Sequence, residues 1–130
     1  MENQSVVLCD TNIIIEFYKN NPITVAALRQ IGQEHIAISI VTAGELLYGA
    51  LNKRELARIS KDIANLPTLA LNEPIGALTL ELLKQYTLSH KLTLPDALIA
   101  ATAIHYDIPL YTLNLKDFRP ITGLSLHQMA

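Results

Sequence analysis

Residues 6–12 read Val-Val-Leu-Cys-Asp-Thr-Asn, an apolar run that ends on an aspartate. Aliphatic and β-branched residues without polar alternation are typical of a strand that is buried on both faces. Residues 36–41 and 110–112 have the same character and predict two further strands of this kind. A carboxylate is rarely left at the end of a buried strand without a partner or a function, so Asp10 is the first candidate site residue.

Helical patterns separate these strands. Pro74 marks a helix start, Thr93 is the expected N-cap of the last long helix, and weaker strands are expected at 68–71 and 124–126. Buried strands that alternate with helices predict a parallel sheet covered on both faces. The expected fold class is therefore α/β, a three-layer α/β/α domain with a central parallel sheet, formed by residues 1–130 as a single domain.

The composition agrees with a globular domain. Of 130 residues, 50% are hydrophobic and 17% are charged, and the formal net charge is −2, so no basic field indicates a nucleic-acid partner by itself. The single cysteine, Cys9, excludes an internal disulfide and agrees with a reducing compartment. No signal-peptide pattern is present, and no apolar run reaches the roughly 18 residues of a membrane span. The protein is therefore expected to be cytoplasmic, with no membrane contact.

Three acidic residues hold comparable positions in this α/β order. Asp10 follows the first strand, Glu45 lies in the helix after the second, and Asp96 lies in the first turn of the last long helix. Ligands of parallel sheets bind where the carboxyl ends of the strands meet the following helices, so these acids are expected at one edge. Clustered carboxylates raise one another's pKa unless a positive charge lies between them. Mg²⁺ or Mn²⁺ supplies that charge and carries waters that attack phosphorus, which indicates a metal-dependent phosphodiesterase.

Each acid also has a structural interpretation that stays open at this point. Asp10 is suitable as the N-cap of a helix that begins near Ile13. Residues 42–45, Thr-Ala-Gly-Glu, match the capping box, in which Glu45 bonds back to the N-cap amide. Asp96 is suitably placed to interact with the dipole of its own helix. The joint occurrence of the three acids after successive elements favours the functional interpretation.

The local sequence around the acids is more specific than their spacing. Four segments occur in this order: LCDTNIIIEF (8–17), SIVTAGELLYG (39–49), LPDALIAATAIHYDIPLYT (94–112) and LNLKDF (113–118). Together they resemble a PIN domain, and especially a VapC-type toxin ribonuclease. The resemblance covers nearly the whole chain, and its most specific motifs are those at Asp10 and Asp96.

The resemblance implies a Mg²⁺- or Mn²⁺-dependent endoribonuclease that acts on RNA and forms a homodimer bound by a cognate antitoxin protein. Asp10 and Asp96 match the acids assigned as metal ligands, and Glu45 matches the acid that helps to ligate the metal or orients the attacking water. Asn114 stands where the family pattern often has a fourth acid. A carboxamide adds no negative charge for a second ion, so a single metal is expected. Asp117, three residues later, is expected to be a loop residue or a helix cap.

Neighbouring polar residues are expected to orient the acids. Thr11, Asn12 and Thr112 are the predicted hydrogen-bonding partners around the site, and helix capping is the other role open to Thr11 and Asn12. Lys116 and Arg119 follow the strand that ends at Thr112, and they are candidates for contacts with flanking RNA phosphates.

Two other functions remain open. A phosphoaspartyl enzyme or receiver domain also has an aspartate after a strand of a parallel sheet, although Asn12 stands where the phosphatase motif has a second acid. A catalytically inactive PIN-like binding module would keep the fold and the partner surface, and Asn114 is the residue that favours this interpretation.

Overall fold

The structure is a computed structural model that describes residues 6–128. Four strands and seven α-helices alternate along this part of the chain. The strands are β1 Val7–Cys9, β2 Ile36–Ser39, β3 Thr68–Leu69 and β4 Leu110–Tyr111. The helices are α1 Thr11–Tyr18, α2 Pro22–Ile31, α3 Ile40–Tyr48, α4 Lys53–Ala64, α5 Glu73–His90, α6 Leu94–Tyr106 and α7 Leu115–Phe118.

The strands form one parallel sheet in the order β3-β2-β1-β4. β1 is central because it pairs with β2 on one side, where Val7 lies opposite Ile36, and with β4 on the other, where Leu8 lies opposite Leu110. The predicted α/β class and parallel sheet are confirmed. Receiver domains have the order 2-1-3-4-5, in which the first strand pairs with the third, so the receiver alternative is wrong.

Alternate residues of the central strand contribute to two apolar cores, one on each face of the sheet. Val7 and Cys9 belong to the core that includes residues of α1 to α4, whereas Leu8 belongs to the core that includes residues of α5 and α6. Cys9 is fully buried, and this burial raises the pKa of its thiol to about 12, which fits packing and not nucleophilic chemistry. The helices therefore form the two outer layers that the sequence predicts.

Four strand predictions are wrong in their extent, and those at 68–71 and 110–112 are too long because the strands end at Leu69 and Tyr111. The strand predicted at 36–41 ends at Ser39, because the Ser39 hydroxyl accepts the N–H of Thr42 at 3.0 Å and caps α3. The β-branched residues that follow begin a helix instead. At 124–126 the weaker strand is reduced to an isolated bridge between Leu126 and a residue of β4.

The predicted start signals of α5 and α6 are confirmed. Asn72 caps α5 with Pro74 in the first turn, and Thr93 caps α6 by accepting the N–H of Asp96 at 3.3 Å. Small buried residues such as Ala100 allow α6 to approach its neighbours closely, and its first turn carries Asp96. Among residues 6–128, no helix is both long enough and apolar enough to cross a membrane.

Candidate active site

One cavity of about 670 Å³ opens at the carboxyl edge of the sheet. Its lining includes all four residues predicted to be catalytic: Asp10, Glu45, Asp96 and Asn114. They come from the end of β1, the middle of α3, the first turn of α6 and the start of α7. Parallel strands bring such distant positions together because their carboxyl ends lie at the same edge.

Asp10 is 4% exposed, and both of its carboxylate oxygens accept hydrogen bonds. The backbone N–H of Thr11 donates to Oδ1 at 2.7 Å, and the hydroxyl of Thr112 donates to Oδ2 at 2.8 Å. Burial raises the pKa of Asp10, the two hydrogen bonds lower it, and the charge of Glu45 raises it further. Asp10 is also the N-cap of α1, so the capping interpretation is confirmed. The same side chain also lines the cavity.

Glu45 lies in the middle of α3, because the helix begins at Ile40 with Ser39 as its cap. The capping-box interpretation of Thr42–Glu45 is therefore wrong. The Glu45 carboxylate is held from another element, since the hydroxyl of Thr11 donates to Oε1 at 2.6 Å. Its Oε2 has no hydrogen-bond partner among the described residues, so this oxygen is available to a ligand in the cavity.

Asp96 is partly buried, and its pKa is raised from 3.8 to about 6. Burial is the largest cause, and the charge of Asp10 is the next. The charges of Asp117 and Glu45 raise the pKa further, while the Thr93 hydroxyl lowers it. These couplings show that the carboxylates act on one another electrostatically, as the predicted cluster requires.

Thr112 connects the end of β4 to the other predicted residues. Its hydroxyl oxygen accepts the N–H of Asn114 at 3.0 Å and lies 3.5 Å from Nδ2 of Asn12, while its proton goes to Asp10. Asn12 also accepts the N–H of Leu113 at 3.2 Å, so it bonds to the loop and not to Asp10. The Asn114 carboxamide makes no hydrogen bond with residues 6–128 and faces the cavity.

The donor set fits a hard cation that keeps several of its waters. Among residues 6–128, no three side chains of the His, Cys, Asp and Glu types converge tightly enough to form a complete metal cage. Mg²⁺ is usually bound through one or two carboxylates and retains water, so it does not need such a cage. None of the ion pairs within the described chain involves Asp10, Glu45 or Asp96, which leaves their negative charge without a basic partner. Asp10 and Asp96, which the sequence predicts as metal ligands, both line the cavity.

Two contributors were not predicted from the sequence. Thr42 is fully buried under the site, with its hydroxyl 3.0 Å from that of Thr11 and 3.4 Å from that of Ser39. Asp117 lies in α7 and was expected to be only a loop residue or helix cap, yet its charge acts on Asp96. The sequence signal for Asp117 was its spacing of three residues from Asn114. This spacing places Asp117 one helical turn after Asn114, because Asn114 is the N-cap of α7.

The basic residues proposed for flanking phosphates lie outside the cavity lining. Lys116 and Arg119 are exposed on α7 and at its end, beyond the residues that line the site. Their role in contacting RNA stays a prediction.

Comparison with known proteins gives consistent matches. The PIN domain family model matches residues 7–122. Ribonuclease VapC19 from Mycobacterium tuberculosis is 32% identical over 114 residues, which is 85% of this chain and 90% of the relative. The tRNA(fMet)-specific endonuclease VapC from Shigella flexneri is 29% identical over 122 residues, 90% of this chain and 92% of the relative. A toxin-antitoxin complex from Klebsiella pneumoniae contains a chain with a TM-score of 0.78 and 29% identity, covering 95% of this chain and 99% of that one.

Proposed function

Because this chain belongs to the PIN domain family, we propose that it is a metal-dependent endoribonuclease and the toxin of a toxin–antitoxin pair. The observation that carries the proposal is the cavity at the carboxyl edge of the sheet. Three carboxylates from three different elements, Asp10, Glu45 and Asp96, line it without a basic partner among the described residues. A site with this charge requires a cation before it accepts a polyanion such as RNA.

The side chains have distinct roles in the proposed hydrolysis. Asp10 and Asp96 hold Mg²⁺ or Mn²⁺, and Thr112 keeps the Asp10 carboxylate in place through its hydrogen bond. Glu45, oriented by Thr11, presents its free oxygen to the ion or to the attacking water. Asn114 assists by hydrogen bonding through its carboxamide. When bound, the cation neutralises charge on the scissile phosphate and lowers the pKa of a water.

The relatives support the substrate class and the partner. Two of them are named as ribonucleases or endonucleases, one for a transfer RNA. The similar chain from Klebsiella is part of a toxin-antitoxin complex, so a cognate antitoxin is the proposed protein partner. A homodimer is proposed from the family resemblance.

Cleavage of total RNA in the presence of Mg²⁺ or Mn²⁺ tests the proposal. The native chain is expected to cut RNA, and Asp10→Asn or Asp96→Asn is expected to slow cutting by about 100-fold or more, because each removes charge at the site. Glu81→Gln is the control, since Glu81 is exposed on α5 and pairs only with Lys84. Equal cutting by native and Asp10→Asn chains, or cutting that persists in EDTA, would contradict the proposal.

The alternative of an inactive binding module rests on one observation. Asn114 lines the cavity in place of an acid, which lowers the negative charge available to a metal. If the native chain binds RNA with Mg²⁺ yet leaves it intact, while Asn114→Asp cuts it, the alternative is correct.

A further inference from the structure

Part of the wall of the active-site cavity is apolar. α3 contributes Ile40, Gly44 and Tyr48 to this wall, and α1 contributes Ile15. Ile40, Gly44 and Tyr48 follow one another at intervals of four residues, so they lie along one face of α3. Glu45 is adjacent to Gly44 in the same helix, and the apolar wall therefore adjoins the acids.

Tyr48 is the most exposed residue of this wall. It is 93% exposed, and no hydrogen bond or ring contact joins it to another residue of the described chain. Aromatic side chains normally bury a large apolar area. A ring that is left in water at the edge of a cavity is thus available for a ligand.

Gly44 has no side chain, so the helix surface beside the Tyr48 ring is uncovered. It lies in the middle of α3, where glycine is less favourable than alanine. A Cβ atom at Gly44 would meet no atom within 4 Å, so packing does not require the glycine. Its backbone is ordinary helix, since the positive φ glycines among the described residues are Gly32 and Gly123. The missing side chain keeps a flat, uncharged surface between Ile40 and Tyr48.

The charge of the cavity limits how RNA is held there. The lining contains no lysine or arginine, so flanking phosphates find no positive side chain in it. Within the cavity, binding strength beyond the metal then comes from uncharged contacts. Single-stranded RNA is commonly held by stacking of its bases on aromatic rings, which does not depend on base identity.

We propose that Ile40, Gly44 and Tyr48 form a subsite for a nucleobase of single-stranded RNA, with the base stacked on the Tyr48 ring. The base belongs to a nucleotide next to the phosphate that the acids process. This inference rests on the proposed function, because it takes RNA as the ligand of the same cavity. It assigns the apolar part of that cavity to recognition and the acidic part to chemistry.

Binding of a 12-nucleotide single-stranded RNA of random sequence, measured by fluorescence anisotropy with Mg²⁺, tests the subsite. All variants are made in the Glu45→Gln chain, which keeps Asp10 and Asp96 for the ion and removes the carboxylate proposed to orient the attacking water, so that cleavage does not affect the titration. Tyr48→Ala is expected to raise the Kd about 10-fold or more, and Tyr48→Trp is expected to retain tight binding. Leu51→Ala is the control, because Leu51 is 85% exposed nearby and does not line the cavity.

A 12-unit ribose-phosphate chain without bases distinguishes stacking from other effects. Tyr48→Ala and its parent are expected to bind this abasic chain with the same Kd, since the ring has no base to stack on. A weaker Kd for the abasic chain in Tyr48→Ala would show that the ring contacts the backbone, and the subsite would be wrong.

A pair of glycine variants tests the shape of the subsite. Gly44→Ala is expected to weaken binding of the 12-nucleotide RNA several-fold, because the methyl group enters the flat surface. Gly76→Ala on α5 is the matched control, since a Cβ there also meets nothing within 4 Å and the site is elsewhere. Both substitutions favour the helix, so a loss confined to Gly44→Ala is not a loss of folding.

The outcomes separate this inference from the proposed function. If the native chain cuts no RNA but RNA affinity depends on Tyr48, the subsite is correct and the nuclease proposal is wrong. If the native chain cuts RNA and Tyr48→Ala binds it unchanged, the subsite is wrong and the nuclease proposal stands. Loss of affinity for a protein partner alone, with RNA affinity unchanged, would assign the ring to that partner and overturn the subsite. Absence of any RNA binding would overturn both.

Discussion

Asp96 is a carboxylate of the cavity whose protonation responds to its surroundings. Burial and the charge of Asp10 raise its pKa from 3.8 to about 6 in the folded chain. The folded state therefore holds this proton more tightly than the unfolded state does. Above pH 6 the charged form opposes folding, and the stability lost in this way is regained as the pH falls from about 6 towards 4.

Thermal unfolding in EDTA tests this linkage. Between pH 7.5 and pH 5 the Tm of the native chain is expected to rise relative to that of Asp96→Asn, by a few degrees, because the variant has no proton to gain at position 96. The comparison with the variant removes the contributions of other titrating groups, such as His127, whose burial lowers its pKa. A difference in Tm that stays constant over this range would contradict the assigned environment of Asp96.

At the same scale, the sequence indicated which residues line the cavity but not how they contact one another. Asp10 and Asp96 were identifiable because each stands at a fixed place after a strand or at a helix start. The hydrogen bond from Thr11 to Glu45 was not, since it joins residues 34 positions apart and depends on how α1 and α3 pack. Asn12 was expected to bond either to Asp10 or to the loop, and the structure shows the bond to the loop after β4.

At the scale of elements, the caps decide where the site residues lie. Ile40 and Val41 look like the end of a strand because β-branched residues favour strands. The capping hydrogen bond of Ser39 starts α3 at this point, and Glu45 consequently lies in its middle. Local side-chain capping outweighs intrinsic propensity here, which is why the boundary was predicted wrongly while the elements themselves were predicted correctly.

The caps of α6 and α4 provide a matched test. Thr93 and Asn52 are both exposed, and each accepts the N–H of the third helical residue, at 3.3 Å and 2.9 Å. Alanine at either position is expected to lower the free energy of unfolding by about 1 kcal/mol, measured by urea denaturation. Only Thr93→Ala is expected to slow RNA cleavage as well, because α6 carries Asp96 and α4 carries no predicted site residue. Equal cleavage by the two variants would show that this cap does not position the acid.

At the scale of the whole molecule, the topology gathers the acids. β1 lies between β2 and β4, and the segments that follow these three strands carry Asp10, Glu45 and Asn114 to one edge. α6 precedes β4 and brings Asp96 to the same edge from its first turn. This gathering was predictable from the order of strands and helices, because parallel strands share the direction of their carboxyl ends. The apolar wall was not predictable, since it depends on which face of α3 remains uncovered.

Asn114 sets the number of ions that the molecule is expected to hold. Its carboxamide is neutral, so we expect Asp10 and Asp96 to hold one tightly bound ion. Replacement of Asn114 by aspartate adds a carboxylate to the cavity, and it is expected to tighten binding or admit a second ion.

Titration with Mn²⁺, followed through the electron paramagnetic resonance signal of the free ion, tests the central claim that the gathered carboxylates bind a divalent cation. The native chain is expected to bind one Mn²⁺, Asp10→Asn and Asp96→Asn are expected to lose this binding, and Asn114→Asp is expected to strengthen it. A native chain that leaves all Mn²⁺ free, or an Asp10→Asn/Asp96→Asn double variant that binds Mn²⁺ as the native chain does, would contradict the account.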